Sequence, residues 1–259
     1  MVTFDFTEKN FVVVGASSGI GRQVTLELSN GGANVLAIGR NLERLNELKT
    51  NSPVSLVKRP PKIFTEQLDV LTATPDDWAQ VLGNFTGAVG RINGGLYSAG
   101  IWGLTPLHSF DTLLARKIFD TSFWGAVNFL QAATRKKFSD GGGSFVLMSS
   151  TAGDFAGKGL FAYSAAKAAI QSAVKSFAKE IIRGKHRINS VAPAPVKTEM
   201  MSGDYAASVG EQTASRQLLG PGTARDVAGM ILFLLSERAA WITGQNFFVD
   251  GGYIVGSYT

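Results

Sequence analysis

The chain contains no cysteine, so disulfide bonds and thiol chemistry are closed to it. Histidine is nearly as scarce: the two residues, His108 and His186, lie far apart with no metal-ligand spacing around them, and no metal site is expected. Long apolar runs are missing too. The longest are broken by glycine or charge, short of the roughly 20 residues that a membrane-spanning helix needs. The first six residues hold neither a basic head nor an apolar stretch, so no signal peptide is expected and a cytoplasmic location is the default. Charged residues are sparse, at 17%, and leave a net charge of +5. Apart from Lys58, Arg59 and Lys62 in one stretch and Arg135, Lys136 and Lys137 in another, the basic residues are scattered. That distribution builds no stripe for nucleic acid and suits a polyanionic small molecule.

What is present is a 45% hydrophobic chain of 259 residues, enough for one large α/β domain with a buried sheet. No repeat, low-complexity segment or linker divides residues 1–259. Asn10–Val14 is a short β-branched run bounded by glycine, and reads as a buried strand. Further strands are expected at 35–38, 64–68, 94–100, 144–148, 188–191 and 246–249. Between them fall helical patterns at 22–30 and 42–48, from Thr74 onward, through much of 106–138, from about Phe161 to Gly184, and at 223–235. This alternation calls for a parallel sheet with right-handed crossovers, an α/β doubly wound fold of the Rossmann type. Residues 50–62, with three prolines and several basic side chains, read as a long surface loop.

Between the first strand and the first helix stands Gly15-Ala16-Ser17-Ser18-Gly19-Ile20-Gly21. Glycines there permit a tight turn and let backbone approach a pyrophosphate, while the helix N-terminus offers free N–H groups and a favourable dipole. The spacing is G-x-x-x-G-x-G, and its strand–turn–helix setting points to a dinucleotide site. Where the second strand ends, an acidic residue would accept hydrogen bonds from the adenosine ribose and favour NAD. This chain has Gly39-Arg40 instead. An arginine fork binds a 2′-phosphate with charge-assisted hydrogen bonds, so NADP(H) is the expected cofactor; a solvated arginine at a helix start is the plainer alternative.

The stretch Phe161–Ala169 places Tyr163 and Lys167 four residues apart in an alanine-rich helical run, hence on one helix face. A phenol is a poor acid or base near neutrality, and a neighbouring ammonium favours the phenolate and lowers its pKa. Alone the pair is equally an ordinary helix face; the glycine turn and Arg40 give it a setting.

Taken together, the chain resembles the short-chain dehydrogenase/reductase family in its single-domain, NADP(H)-preferring form. The resemblance spans nearly the whole length. It rests on the glycine turn, Asp69-Val70, Ser98-Ala99-Gly100, Ser149-Ser150, Tyr163-Ser164-Ala165-Ala166-Lys167, Asn189-Ser190-Val191-Ala192-Pro193, Thr243-Gly244-Gln245 and Val249-Asp250-Gly251-Gly252. It implies one dinucleotide-binding and catalytic domain with a substrate lid around 193–216. By the same resemblance Tyr163 is the general acid of carbonyl reduction, or the base in reverse. Lys167 holds the nicotinamide ribose, and Ser150, rather than Ser149, binds the substrate oxygen. Ser17, Ser18 and Ile20 belong to the phosphate turn. Asp69 and Val70 contact the adenine, and Ala99 and Gly100 line the cofactor site. Beyond Pro193, Val196 and Thr198 hold the carboxamide end of the nicotinamide. Three positions depart from the pattern: Ser122 stands where a relay asparagine is usual, Tyr97-Ser98 where Asn-Asn is, and Ala194 where glycine is.

The resemblance also implies a homotetramer paired through long helices and the C-terminal strand, with a small carbonyl or alcohol as substrate. Trp102, Leu104, Phe155, Leu160, Met200, Met201 and Tyr205 fall in the family's pocket loops, and their character implies a substrate with an apolar portion. Two other functions compete with a reductase. An epimerase or dehydratase of the extended relatives needs a larger C-terminal substrate region. A cofactor-binding regulator or scaffold with little turnover draws on Ser122, Tyr97 and Ala194.

Overall fold

The computed structural model describes residues 4–50, 62–198 and 215–256. Seven parallel strands form one sheet: β1 (Asn10–Val14), β2 (Asn34–Gly39), β3 (Ile63–Gln67), β4 (Ile92–Tyr97), β5 (Ser139–Met148), β6 (Arg187–Pro193) and β7 (Asn246–Val249). Their spatial order is β3-β2-β1-β4-β5-β6-β7, so the winding reverses between β1 and β4. In an open α/β sheet that reversal opens a crevice at the carboxyl ends of the strands, where ligands bind.

Strand alternation decides which side each residue serves. Along β1, Phe11 and Val13 pack on one face with α1 (Gly19–Asn30), α2 (Leu42–Thr50) and α7 (Ala224–Leu235). Val12 and Val14 pack on the other with α3 (Pro75–Val89), α5 (Gly125–Ala133) and α6 (Phe161–Ile181). A strand buried on both faces reads as a continuous apolar run, as β1 does. Thr74 caps α3 in a reciprocal box with Asp77, with Pro75 in the first turn, as its sequence predicts.

Three expectations need adjusting. Helix α1 begins at Gly19 rather than Arg22, so the last two turn glycines are already helical. Strand β5 begins at Ser139, ahead of the glycine triplet, because a register shift between Ile92 and Gly94 lets Gly141 and Gly142 take positive φ inside the strand. His186 braces this bulge: its buried Nδ1 accepts the Gly143 N–H at 3.1 Å, a structural role. Third, the helix expected within 106–138 occupies Thr112–Ala133 and is interrupted. Between α4 (Thr112–Phe119) and α5, residues Asp120–Trp124 make a π-turn, with the Gly125 N–H donating to Asp120 five residues back. The Thr121 carbonyl accepts the Tyr97 hydroxyl. A Cβ at Gly125 would lie 2.1 Å from that hydroxyl, so Tyr97 and Gly125 are matched. The tyrosine that departs from the family pattern thus has a structural partner. No helix among the described residues is long and apolar enough to cross a membrane.

Candidate active site

At the winding reversal lies a cavity of about 320 Å³. Its floor is the turn after β1. Gly15 sits at φ +86°, and a Cβ on it would stand 2.6 Å from the Ala99 nitrogen, so the two crossover turns meet backbone to backbone. Ser18 occupies the N-cap of α1, yet its side chain makes no cap hydrogen bond. The first N–H groups of α1 are left for a ligand, an arrangement suited to a pyrophosphate. Ser17 and Arg40 stand at the adenosine end, where a Cβ on Gly39 would come within 3.3 Å of the Ser17 hydroxyl. Gln67 at the end of β3 donates to the Arg40 carbonyl at 2.8 Å. Of the basic stretch, Lys62 lies at the opposite, amino end of β3, away from the cavity; Lys58 and Arg59 fall outside the described residues.

Helix α6 carries the chemistry. Its buried face includes Ala162, Ala166, Ile170 and Val174, with Lys167 among them, while Tyr163 faces the cavity. The Lys167 ammonium donates to the Met148 carbonyl at 2.9 Å and lies 5.6 Å from the centre of the Tyr163 ring. Ser149 spends its hydroxyl on the Lys167 carbonyl at 3.0 Å. Ser150 instead accepts the Ala152 N–H at 3.2 Å and lines the cavity with Tyr163. Both serines line the cavity but differ in their partners, the Ser149 hydroxyl being taken up by the Lys167 carbonyl.

The electrostatics differ from expectation in one respect. Burial of the phenolate raises the Tyr163 pKa, and the nearby Ser150 hydroxyl only partly opposes it. Burial acts on the neighbouring ammonium as well, lowering Lys167 from 10.5 to about 8.

The expected residues Gly15, Ser17, Ser18, Gly19 and Ile20 line this one cavity with Arg40, Asp69 and Val70. So do Ala99, Gly100, Ser150, Tyr163, Lys167, Pro193, Val196 and Thr198. Gly21 stands behind the wall against the Gly15 carbonyl. Ser122 also stands behind it, in the π-turn. Its hydroxyl is fully buried and has no hydrogen-bond partner among the described residues. It and the Lys167 ammonium each come within 3.5 Å of a Cβ built on Gly100. Ala194, where the family has glycine, is accommodated in the wall and 4% exposed.

Beyond Tyr163 the wall is Trp102, Phe155, Leu160 and Tyr253, the Phe155 and Tyr253 rings meeting edge to face at 6.0 Å. Leu104 does not reach it. Met200, Met201, Tyr205 and most of the expected lid lie outside the described residues. Sequence reasoning passes over Tyr253 as pocket wall, and over Gln171. The latter stands one helical turn past Lys167, and its spacing of eight from Tyr163 was the available signal. Among the described residues no group of His, Cys, Asp and Glu is placed to hold a metal ion.

A parallel sheet that opens at its reversal onto a glycine turn, with serine, tyrosine and lysine at one end, defines a nicotinamide-dependent oxidoreductase. The chain belongs to the short-chain dehydrogenase/reductase family. The family model described as Enoyl-(Acyl carrier protein) reductase matches residues 15–254. Among relatives, the 3-oxoacyl-[acyl-carrier-protein] reductase FabG of Thermotoga maritima is 30% identical, the match covering 94% of this chain and 97% of that protein. An NAD-dependent glycerol dehydrogenase of Listeria innocua is 29% identical over 97% and 96%. A short-chain type dehydrogenase/reductase from Mycobacterium ulcerans superposes with a TM-score of 0.88 at 29% identity, covering 97% of this chain and 92% of that one.

Proposed function

We propose that the protein is an NADPH-dependent carbonyl reductase, working also as the reverse alcohol dehydrogenase. The observation that carries this reading is the convergence of Ser150, Tyr163 and Lys167 at one end of the cavity whose other end holds Ser17 and Arg40. The bound nicotinamide would supply the hydride. The rest is done by side chains of the chain. Ser150 holds the substrate oxygen: its hydroxyl oxygen already accepts the Ala152 N–H, which leaves its proton to donate. Tyr163 gives its proton to that oxygen as negative charge develops on it. Burial, by raising its pKa, keeps the phenol protonated at neutral pH, the state that reduction needs. The Lys167 ammonium is fixed by Met148 beside the phenol and faces the nicotinamide ribose site. The buried hydroxyl of Ser122 is placed to extend this polar end behind Gly100.

The cofactor groups fit the residues present. The uncapped start of α1 takes the pyrophosphate, Asp69 and Val70 the adenine, and Val196 and Thr198 the carboxamide. Because NAD-dependent relatives exist, the choice of cofactor rests on Arg40 and on the lack of a carboxylate at the end of β2. The substrate is read as a ketone or aldehyde with an apolar, ring-bearing portion, on the strength of Trp102, Phe155 and Tyr253. Trp124 on the α4–α5 helix and Trp241 beside the edge strand β7, at 52% and 99% exposed, support the homotetramer. A cytoplasmic, single-domain enzyme with its lid around 193–216 completes the proposal.

Titration with NADPH and NADH, followed by a ketone panel with the tighter cofactor, tests it. Tight NADPH binding with oxidation by a panel ketone is expected; tight binding without turnover would favour the regulator. Arg40→Asp places a carboxylate against the 2′-phosphate and is expected to weaken NADPH by about tenfold to a hundredfold, with NADH little changed. An unaltered ratio of the two dissociation constants would remove Arg40 from the site.

A further inference from the structure

We infer that Gln171 is a positioning residue for Ser150, and that Gly153 lacks a side chain in order to admit it. The observations lie at the join of β5 and α6. Residues Thr151–Gly153 make a single 3-10 turn for which Ser150 is the N-cap. Within that turn the Ser150 carbonyl accepts the Gly153 N–H at 3.0 Å. From outside, it accepts the Gln171 amide at 3.1 Å. A carbonyl has two lone pairs, and both are taken. Helix α6 thus grips the end of β5 at three consecutive residues: Met148 through the Lys167 ammonium, Ser149 through the Lys167 carbonyl, and Ser150 through Gln171. Tyr163, Lys167 and Gln171 share one face of the helix, four residues apart, so the element that presents the acid also sets the serine that works with it.

Gly153 gives independent support. Its φ is not among the positive values, so backbone conformation does not demand glycine there. Space does. A Cβ would lie 2.7 Å from the Gln171 Nε2 and 3.0 Å from the Ala168 nitrogen. The nearer atom is the tip of a flexible side chain, so an added methyl would push the amide off the Ser150 carbonyl before it disturbed the helix. Without the grip, the Ser150 carbonyl keeps one hydrogen bond in place of two. The Ser150 hydroxyl, held by the Ala152 N–H of that same turn, loses its fixed line to the substrate oxygen.

The test uses the full chain. Gln171→Leu is expected to lower kcat about 10–100-fold with a smaller change in KM, in line with the cost of sub-ångström to ångström misplacement. NADPH affinity and Tm should stay close to those of the parent, and amide hydrogen exchange at 151–153 should quicken. Gln171→Glu separates positioning from packing. As a neutral acid it donates to the Ser150 carbonyl and works; as a carboxylate it repels it, so activity should fall as pH rises through a step absent in the parent. Gly153→Ala should match Gln171→Leu, and the double variant should be little worse than either. Parent kcat with parent exchange in Gln171→Leu, a Gln171→Glu profile identical to the parent, or additive losses would each overturn the inference. If Gln171→Leu does not fold, the Gln171→Glu profile decides. The kinetic arm rests on the carbonyl-reductase reading. If the parent reduces no ketone, that reading fails, and the exchange rates at 151–153 in the variants alone decide the role of Gln171.

Discussion

Tyr163→Phe is expected to reduce turnover about 10²–10⁴-fold, the range associated with loss of a positioned general acid, while leaving NADPH binding little changed. The asymmetry follows from placement. The Tyr163 side chain faces the wall made by Phe155 and Leu160, whereas the phosphate turn and Arg40 occupy the other end of the cavity. The substitution removes one oxygen that faces the cavity from a helix otherwise unaltered. The variant separates the two readings of the molecule. In a reductase, it retains cofactor fluorescence changes and loses ketone-dependent oxidation, and whatever rate remains no longer follows the ionisation of the phenol. In a cofactor-binding regulator, parent and variant behave alike. A fully active Tyr163→Phe would sink the mechanism.

How much of this was legible in the residues depends on the distance over which each interaction acts. The glycine turn, the Tyr163–Lys167 spacing and most strands are local patterns found where expected, while β4 covers Ile92–Tyr97 rather than 94–100 and β5 starts at Ser139 rather than 144. Ser150 and Ser149 are neighbours with the same side chain, and family spacing separates them; the bond that sets Ser149 apart reaches Lys167, 18 positions away. The π-turn was not legible. It exists because Tyr97 reaches the Thr121 carbonyl across 24 positions and Gly125 leaves room for its hydroxyl, a match no single window contains. Gln171 sat in plain view at helical spacing, but its target is a backbone carbonyl, and every residue has one. The phenol's pKa depends on burial, which no local pattern shows: the fold that brings Lys167 close also buries both groups, raising the phenol and lowering the ammonium.

That burial yields the second large effect. Lys167→Met is expected to abolish useful turnover and yet to produce a more stable protein at neutral pH. Lys167 is 3% exposed, and its ammonium meets one neutral carbonyl and the Tyr163 ring but no counter-charge, so its charge is poorly compensated. Its folded pKa is depressed from 10.5 to about 8, which at about 1.4 kcal/mol per unit amounts to a penalty of ~3 kcal/mol. The sign fixes the pH window. Below about pH 8 both folded and unfolded chains carry the charge, and folding bears the full cost of burying it. Between about 8 and 10.5 the folded lysine is neutral while the unfolded one is not, and the cost shrinks; above 10.5 it is gone. Methionine fills similar space without charge but leaves the Met148 carbonyl without its donor, an offset of about 1 kcal/mol. A net gain of ~2 kcal/mol is expected at pH 7, or a Tm higher by roughly 4–8 °C, and above pH 10.5 it should give way to a loss of about 1 kcal/mol, the Met148 offset alone. Thermal unfolding of parent and variant across pH 6–11 measures it. A Tm for the variant at or below that of the parent at pH 7 would mean that the ammonium is better satisfied than its one carbonyl suggests. A gain confined to neutral pH would identify Lys167 as a charge held in place at the expense of stability, a cost that makes sense only where the charge serves the reacting centre.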